Sequence, residues 1–91
     1  MSVEVRLPTL LRPNAGGAAV LSADGSTVAE VFQAVVAEHP GLASNLVDGD
    51  GQLHKFVNVY RNDDDIRYLD LLDTKVADGD VISVLPAVAG G

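Results

Sequence analysis

The sequence predicts an α+β domain in which a mixed five-stranded sheet carries one main helix on one face. Three observations lead there. Val3, Val5 and Leu7 alternate with Glu4 and Arg6, the period-2 mark of a half-buried strand. Val28, Val31, Phe32, Val35 and Val36 recur at spacings of three and four, which places them on one face of a helix. Val81 to Leu85 is apolar at four of five positions, as expected of a central strand buried on both faces.

Taken in order, the chain opens with the alternating strand over Val3–Leu7. Pro8 and the run from Arg12 to Gly17 break it with turn chemistry, and Ala18–Leu21 reads as the returning strand of a hairpin. Asp24-Gly25 is a second turn. Thr27-Val28-Ala29-Glu30 matches a capping box, in which the threonine hydroxyl takes the amide of Glu30 and the glutamate reaches back to the cap amide. The helix that follows runs from Val28 to Glu38 and stops at His39-Pro40-Gly41. Its β-branched residues weaken helix propensity, so packing of the apolar face must hold it.

Leu42–Val47 is expected to make one helical turn and Asp48–Leu53 a loop. Phe56, Val57, Val59 and Tyr60 form a third strand, Asn62–Asp65 a turn, and Ile66–Tyr68 a short fourth strand. An irregular stretch from Leu69 to Val76 leads to the Asp78-Gly79-Asp80 turn and the last strand. A strand hairpin, one crossover helix and further strands give a sheet whose first and last strands are parallel neighbours at its centre. This is the β-grasp, ubiquitin-like arrangement, with the helix-free face left open to partners. Residues 1–85 make the domain, and residues 86–91 make a flexible, exposed tail ending in Gly90-Gly91.

Composition narrows the function classes. Ninety-one residues suffice for one core, and no apolar run approaches the ~20 residues needed to span a bilayer. The first residues lack the basic and apolar regions of a signal peptide, so a cytoplasmic protein is expected. There is no cysteine, which removes disulfides, thiolate metal sites and cysteine nucleophiles. A net charge of −7 argues against nucleic acid and anionic membranes as partners and suits steering toward a basic protein.

Catalytic constellations are hard to find. Asp48-Gly49-Asp50-Gly51-Gln52-Leu53 resembles the start of a calcium loop. It fails at the sixth position, Leu53, where glycine is required, and at the twelfth, Val59, where a glutamate belongs. Asp63-Asp64-Asp65 are three consecutive side chains, which do not converge on one ion. His39 and His54 have no serine or acid at a recognisable motif spacing, and neither GxxxxGK nor GxGxxG is present. The chain reads as acted upon rather than acting. Its distinctive feature is the run Leu85-Pro86-Ala87-Val88-Ala89-Gly90-Gly91, in which a strand ends at a proline and feeds a small-residue tail with an exposed terminal carboxylate.

Phe56-Val57-Asn58-Val59-Tyr60, Asn62-Asp63-Asp64-Asp65, Ala77-Asp78-Gly79-Asp80 and the terminal run together resemble the ubiquitin-like sulfur carriers of the ThiS/MoaD family. The CysO type, the thiocarboxylate carrier of an alternative cysteine biosynthesis, is the nearest match, and Leu7-Pro8-Thr9-Leu10-Leu11-Arg12-Pro13 is similar to that subgroup too. Two segments depart from the pattern: Leu69-Asp70-Leu71-Leu72-Asp73 is more acidic and leucine-rich, and Gly49-Asp50-Gly51 is richer in glycine.

The resemblance implies a carrier with no catalytic residue and no bound cofactor of its own. An E1-like adenylyltransferase/sulfurtransferase, using ATP and magnesium, would adenylate Gly91 and convert it to a thiocarboxylate. Gly90, Ala89, Val88, Ala87 and Pro86 would be the tail that this partner recognises. The sulfur would pass to an acceptor enzyme such as a cysteine synthase, or to a synthase of a specialised metabolite, thiamine or molybdopterin. A metalloprotease that releases product is a further candidate partner. A modifier that forms isopeptide bonds through Gly91, and a passive interaction domain with an incidental Gly-Gly, are the competing readings.

Overall fold

The computed structural model describes residues 2–49, 51–54 and 57–86. Its elements are β1 (Ser2–Arg6), β2 (Val20–Asp24), α1 (Val28–Glu38), α2 (Ala43–Leu46), β3 (Val57–Arg61), β4 (Asp64–Asp65) and β5 (Val81–Pro86), with short 3₁₀ segments between them. The sheet order is β2-β1-β5-β3-β4. β1 and β5 are parallel neighbours, with Val5 beside Ile82, and every other pairing is antiparallel. The β-grasp arrangement expected from the sequence is therefore present, with the first and last strands at the centre.

The alternation in β1 does what its period requires. Val3, Val5 and Leu7 are buried, together with Ile82 and Val84 of β5 and Val57 and Val59 of β3. Against this face pack Val28, Val31, Phe32 and Val35 of α1, with Leu42, Leu46 and Ile66 closing the sides. The helix has the predicted bounds. Thr27 Oγ1 accepts from the Glu30 amide at 3.2 Å, as the capping signal requires. Glu30 itself reaches one residue further back than expected, to the amide and hydroxyl of Ser26, both at 2.9 Å. Thr27 is engaged instead in an antiparallel bridge with Lys75.

Several sequence-based expectations need correction. Between β1 and β2, Thr9–Ala15 wind into a 3₁₀ helix rather than plain turns, ended by Gly16 in the left-handed region at φ 66°. This winding buries Leu11 and Ala15 and leaves Leu10 75% exposed. The returning strand lies at Val20–Asp24, later than the expected Ala18–Leu21.

The fourth strand is the pair Asp64–Asp65, and Ile66–Tyr68 is a 3₁₀ turn. The Asp65 carboxylate accepts from the Arg67 amide at 2.9 Å. That local bond competes with ladder pairing, while Ile66 drops fully into the core. Burial of β5 on both faces also fails: Val81 and Ser83 are half-buried and Leu85 is 46% exposed. Among the described residues, the core packs on the α1 side of the sheet. β5 also extends one residue past the expected domain limit, since Pro86 pairs with Val57. Phe56, expected to begin the third strand, lies outside the described residues.

Candidate functional site

The site expected from the sequence is the tail and the strand that launches it. Ala87, Val88, Ala89, Gly90 and Gly91 lie outside the described residues. Pro86, the first tail position, is the last residue of β5. The question the structure answers is how the root of the tail is built and held.

The anchor is at the other end of β5. Asp78-Gly79-Asp80 turns the chain into the strand, with Gly79 at φ 86°, a conformation that a residue with a Cβ adopts only under strain. Asp78 Oδ1 accepts from the Ser2 amide at 2.9 Å, and the Gly79 amide donates to the Ser2 carbonyl at 2.9 Å. The Asp80 carbonyl accepts from the Glu4 amide at 3.0 Å. These bonds set the parallel register of β5 on β1.

The Asp80 carboxylate is the hub. Its Oδ2 accepts from the Ala77 amide at 2.8 Å and from Arg61 Nε at 2.9 Å, and its Oδ1 accepts from Asn62 Nδ2 at 3.2 Å. Donation by the Ala77 amide, with smaller help from Asn62 and Arg61, outweighs partial burial and holds this carboxyl below its ordinary range. Asn62, itself at φ 55°, completes the clasp. Its amide donates to the Val81 carbonyl at 2.7 Å, and its Oδ1 accepts from the Val81 amide at 3.0 Å. The sequence marked the turn but not the hub, because Arg61 stands 19 residues away.

At the tail end, parallel pairing brings Pro86 beside the 3₁₀ segment that follows β1. Arg6, Leu10, Arg12, Ser83, Leu85 and Pro86 border an open groove of about 810 Å³ there. Arg12 Nε donates to the Leu7 carbonyl at 3.3 Å, while Arg6 pairs with Glu4 on the exposed face. The root of the tail is thus an apolar patch made by Leu10 and Leu85 and flanked by two of the chain's six cations. It can dock a protein surface. Among the described residues, no side chain here is arranged as a nucleophile with a base.

The other candidates find structural work. Asp65 caps the turn after β4, and Asp48 Oδ1 closes its loop by accepting from the Gln52 amide at 3.1 Å. The His39 amide caps α1 by donating to the Val35 carbonyl at 2.9 Å. Among the described residues, no group of three or more His, Asp or Glu side chains is placed to hold a metal ion. Among them, too, no helix is long and apolar enough to cross a membrane.

Comparison with known proteins bears on the same feature. A family model described as "ThiS family" matches residues 5–91. The chain is 46% identical over 93 aligned positions to the sulfur carrier protein CysO of Mycobacterium tuberculosis, covering all of both chains. It superposes with a TM-score of 0.90 and 45% identity on a chain in the crystal structure of the Amycolatopsis orientalis BexX/CysO complex, covering 98% of this chain and 99% of that one. It is also 43% identical over 68 residues to small archaeal modifier protein 3 of Haloferax volcanii, covering 75% of this chain and 73% of the relative.

Proposed function

The chain belongs to the ThiS family and works as a sulfur carrier, and from that premise we propose that the sulfur rides on the backbone carboxylate of Gly91. The observation that carries this reading is the full-length likeness to CysO-type carriers. The build of the domain supports it: the centre of the sheet is braced at Asp80, and the strand exits at Pro86 beside an open docking groove.

At neutral pH a terminal carboxylate is ionised, since its pKa lies near ~3.3–3.7, and it resists nucleophiles. An E1-like partner overcomes this with ATP and magnesium. A carboxylate oxygen of Gly91 bonds to the α-phosphorus, and pyrophosphate leaves. A sulfide-equivalent nucleophile supplied by the partner then adds to the acyl carbon. AMP departs with the bonding pair, and the product is a terminal thiocarboxylate.

The sulfur of that group attacks an electrophilic carbon held by an acceptor enzyme, for which an activated serine derivative leading to cysteine is the first choice. Extended, the six residues from Pro86 to Gly91 reach at most about 20 Å. That suffices to thread from a docked domain into a buried active site. Gly90 and Gly91 have no Cβ to obstruct a narrow channel. The other tail residues, Pro86 to Ala89, present little bulk to the channel walls.

Docking on the carrier's folded surface supplies the affinity that a short tail cannot. A CysO chain has been crystallised with BexX, which supports a carrier that acts by binding partner proteins. The partners do the catalysis, and the carrier contributes a substrate.

Intact-mass analysis of the chain from its native host tests the assignment. Replacement of one oxygen by sulfur, mapped to Gly91, is expected. A variant with one residue added after Gly91 should not be activated, and its thiocarboxylation without trimming would overturn the reading. The likeness to a small archaeal modifier favours a second reading, isopeptide conjugation through the same carbonyl. Covalent conjugates to lysines in the same sample would establish it.

A further inference from the structure

The leucine- and aspartate-rich run after β4 is built to project apolar side chains. Tyr68 is 88% exposed, Leu69 42% and Leu71 44%. Leu71 sits in the left-handed region at φ 53°, a costly place for a bulky side chain. The surrounding bonds impose it: the buried Thr74 hydroxyl accepts from the Asp70 amide at 3.0 Å, and the Thr74 amide donates to the Leu71 carbonyl at 3.1 Å.

Next to Leu71, Leu72 borders an apolar pocket of about 240 Å³, lined also by Ala29, Phe32 and Val36 of α1 and by Leu46. This is below the ~300 Å³ at which small-molecule sites begin and suits a single side chain. The pocket shares no lining residue with the groove at the tail root.

The charge around it is mainly negative. Residues 63–75 hold five aspartates, one arginine and one lysine. That arginine, Arg67, is engaged with Asn58 Oδ1 at 3.1 Å and with the His54 carbonyl at 3.3 Å. Asp70 lies between the projecting Leu69 and Leu71, and Asp73 follows two residues later, both exposed.

We propose that Tyr68–Asp73 and the adjoining pocket form a second docking surface. Its occupant is a basic segment of a partner protein, which seats one apolar side chain in the pocket and sets Lys or Arg against Asp70 and Asp73. Complementary charge selects such a partner and speeds its approach. Because this surface is separate from the tail root, a partner can hold the carrier while the tail is engaged elsewhere.

The test is an NMR titration of the ¹⁵N-labelled full chain with two synthetic peptides. Both carry one central leucine, flanked by lysines in one and by glutamates in the other. The lysine peptide should shift amides of residues 68–73 and of the α1 face around Phe32 and Val36, and bind roughly tenfold more tightly than the glutamate peptide. Leu71→Gly should keep the folded spectrum and weaken the lysine peptide roughly fivefold. The double variant Asp70→Lys, Asp73→Lys should reverse the preference. Equal binding of the two peptides, shifts centred elsewhere, or no shifts at millimolar peptide would each overturn the proposal.

Discussion

The Arg61 guanidinium donates to the Asp80 carboxylate at 2.9 Å, and this pair ties the start of the tail-bearing strand to its antiparallel neighbour. The same carboxylate takes the Ala77 amide and the Asn62 side chain, so one aspartate closes the turn and joins β3 to β5. The carrier's chemistry is proposed for a backbone group at the far end of that strand. The strand can only present its end reliably if its beginning is fixed.

Asp80→Ala is expected to cost about 0.5–1.5 kcal/mol, because the exposed Ala77 amide and the half-buried Arg61 side chain lose the acceptor they share. At about 4–8 °C per kcal/mol for a domain of this size, thermal melting reads this directly. The pH dependence follows from the lowered folded-state pKa of Asp80. Stability from this group is fully present above the unfolded value of about 3.9 and is lost as pH falls through the lower folded value. Urea titrations of wild type and Asp80→Asn should therefore differ most near neutrality and converge as acid protonates Asp80. A constant gap across that range would refute the assignment.

Thr27→Ala removes the hydroxyl that accepts from the Glu30 amide and should destabilise the domain by about 1 kcal/mol. The cap is remote from the tail root, so sulfur loading at saturating partner should stay at the wild-type level. Thermal melts beside a thiocarboxylation assay separate the two effects.

What could be read from the sequence was what is local. Thr27, Glu30 and the spacing from Val28 to Val35 lie within one short segment, and the helix formed with the expected bounds. The alternation of Val3, Val5 and Leu7 and the centrality of β1 and β5 were legible for the same reason. Ile66 misled because the alternating run Ile66-Arg67-Tyr68 after a turn looks alike in a strand and in a capped 3₁₀ turn, and the Asp65 cap decided it. Leu85 misled because an apolar run does not say whether a second layer covers its other face. The Asp80 hub and the leucine projection at Leu71 depend on contacts and a backbone angle that no spacing encodes. The tail stands as a motif of sequence, in which a proline, small residues and Gly-Gly follow one another directly, and beyond Pro86 it lies outside the described residues.

Leu85→Asp and Leu10→Asp change side chains already exposed at the tail root, so melting temperature should move little. Both put a charge into the apolar patch that the E1-like partner is proposed to cover, and burial of an unpaired charge is costly. The expected result is a rise of roughly tenfold or more in the partner's KM for the carrier, with kcat largely kept. ATP–pyrophosphate exchange with the purified partner measures it. An unchanged KM in both variants would move the docking site away from this groove.

Leu71→Gly separates strain from stability. A leucine held at φ 53° carries about 1–2 kcal/mol of backbone cost that glycine does not. Glycine returns about 0.5–1 kcal/mol of that through its greater unfolded-state freedom. Because Leu71 is 44% exposed, only part of its side chain has packing to lose against the gain. The variant should therefore be as stable as wild type or more so, by up to about 1 kcal/mol, seen as an equal or higher urea midpoint with unchanged slope. Such a result means that leucine at this position costs the fold stability, in keeping with the docking role proposed for its exposed side chain. A clear loss of stability would instead make Leu71 a packing residue, and the projection of its side chain would need no partner.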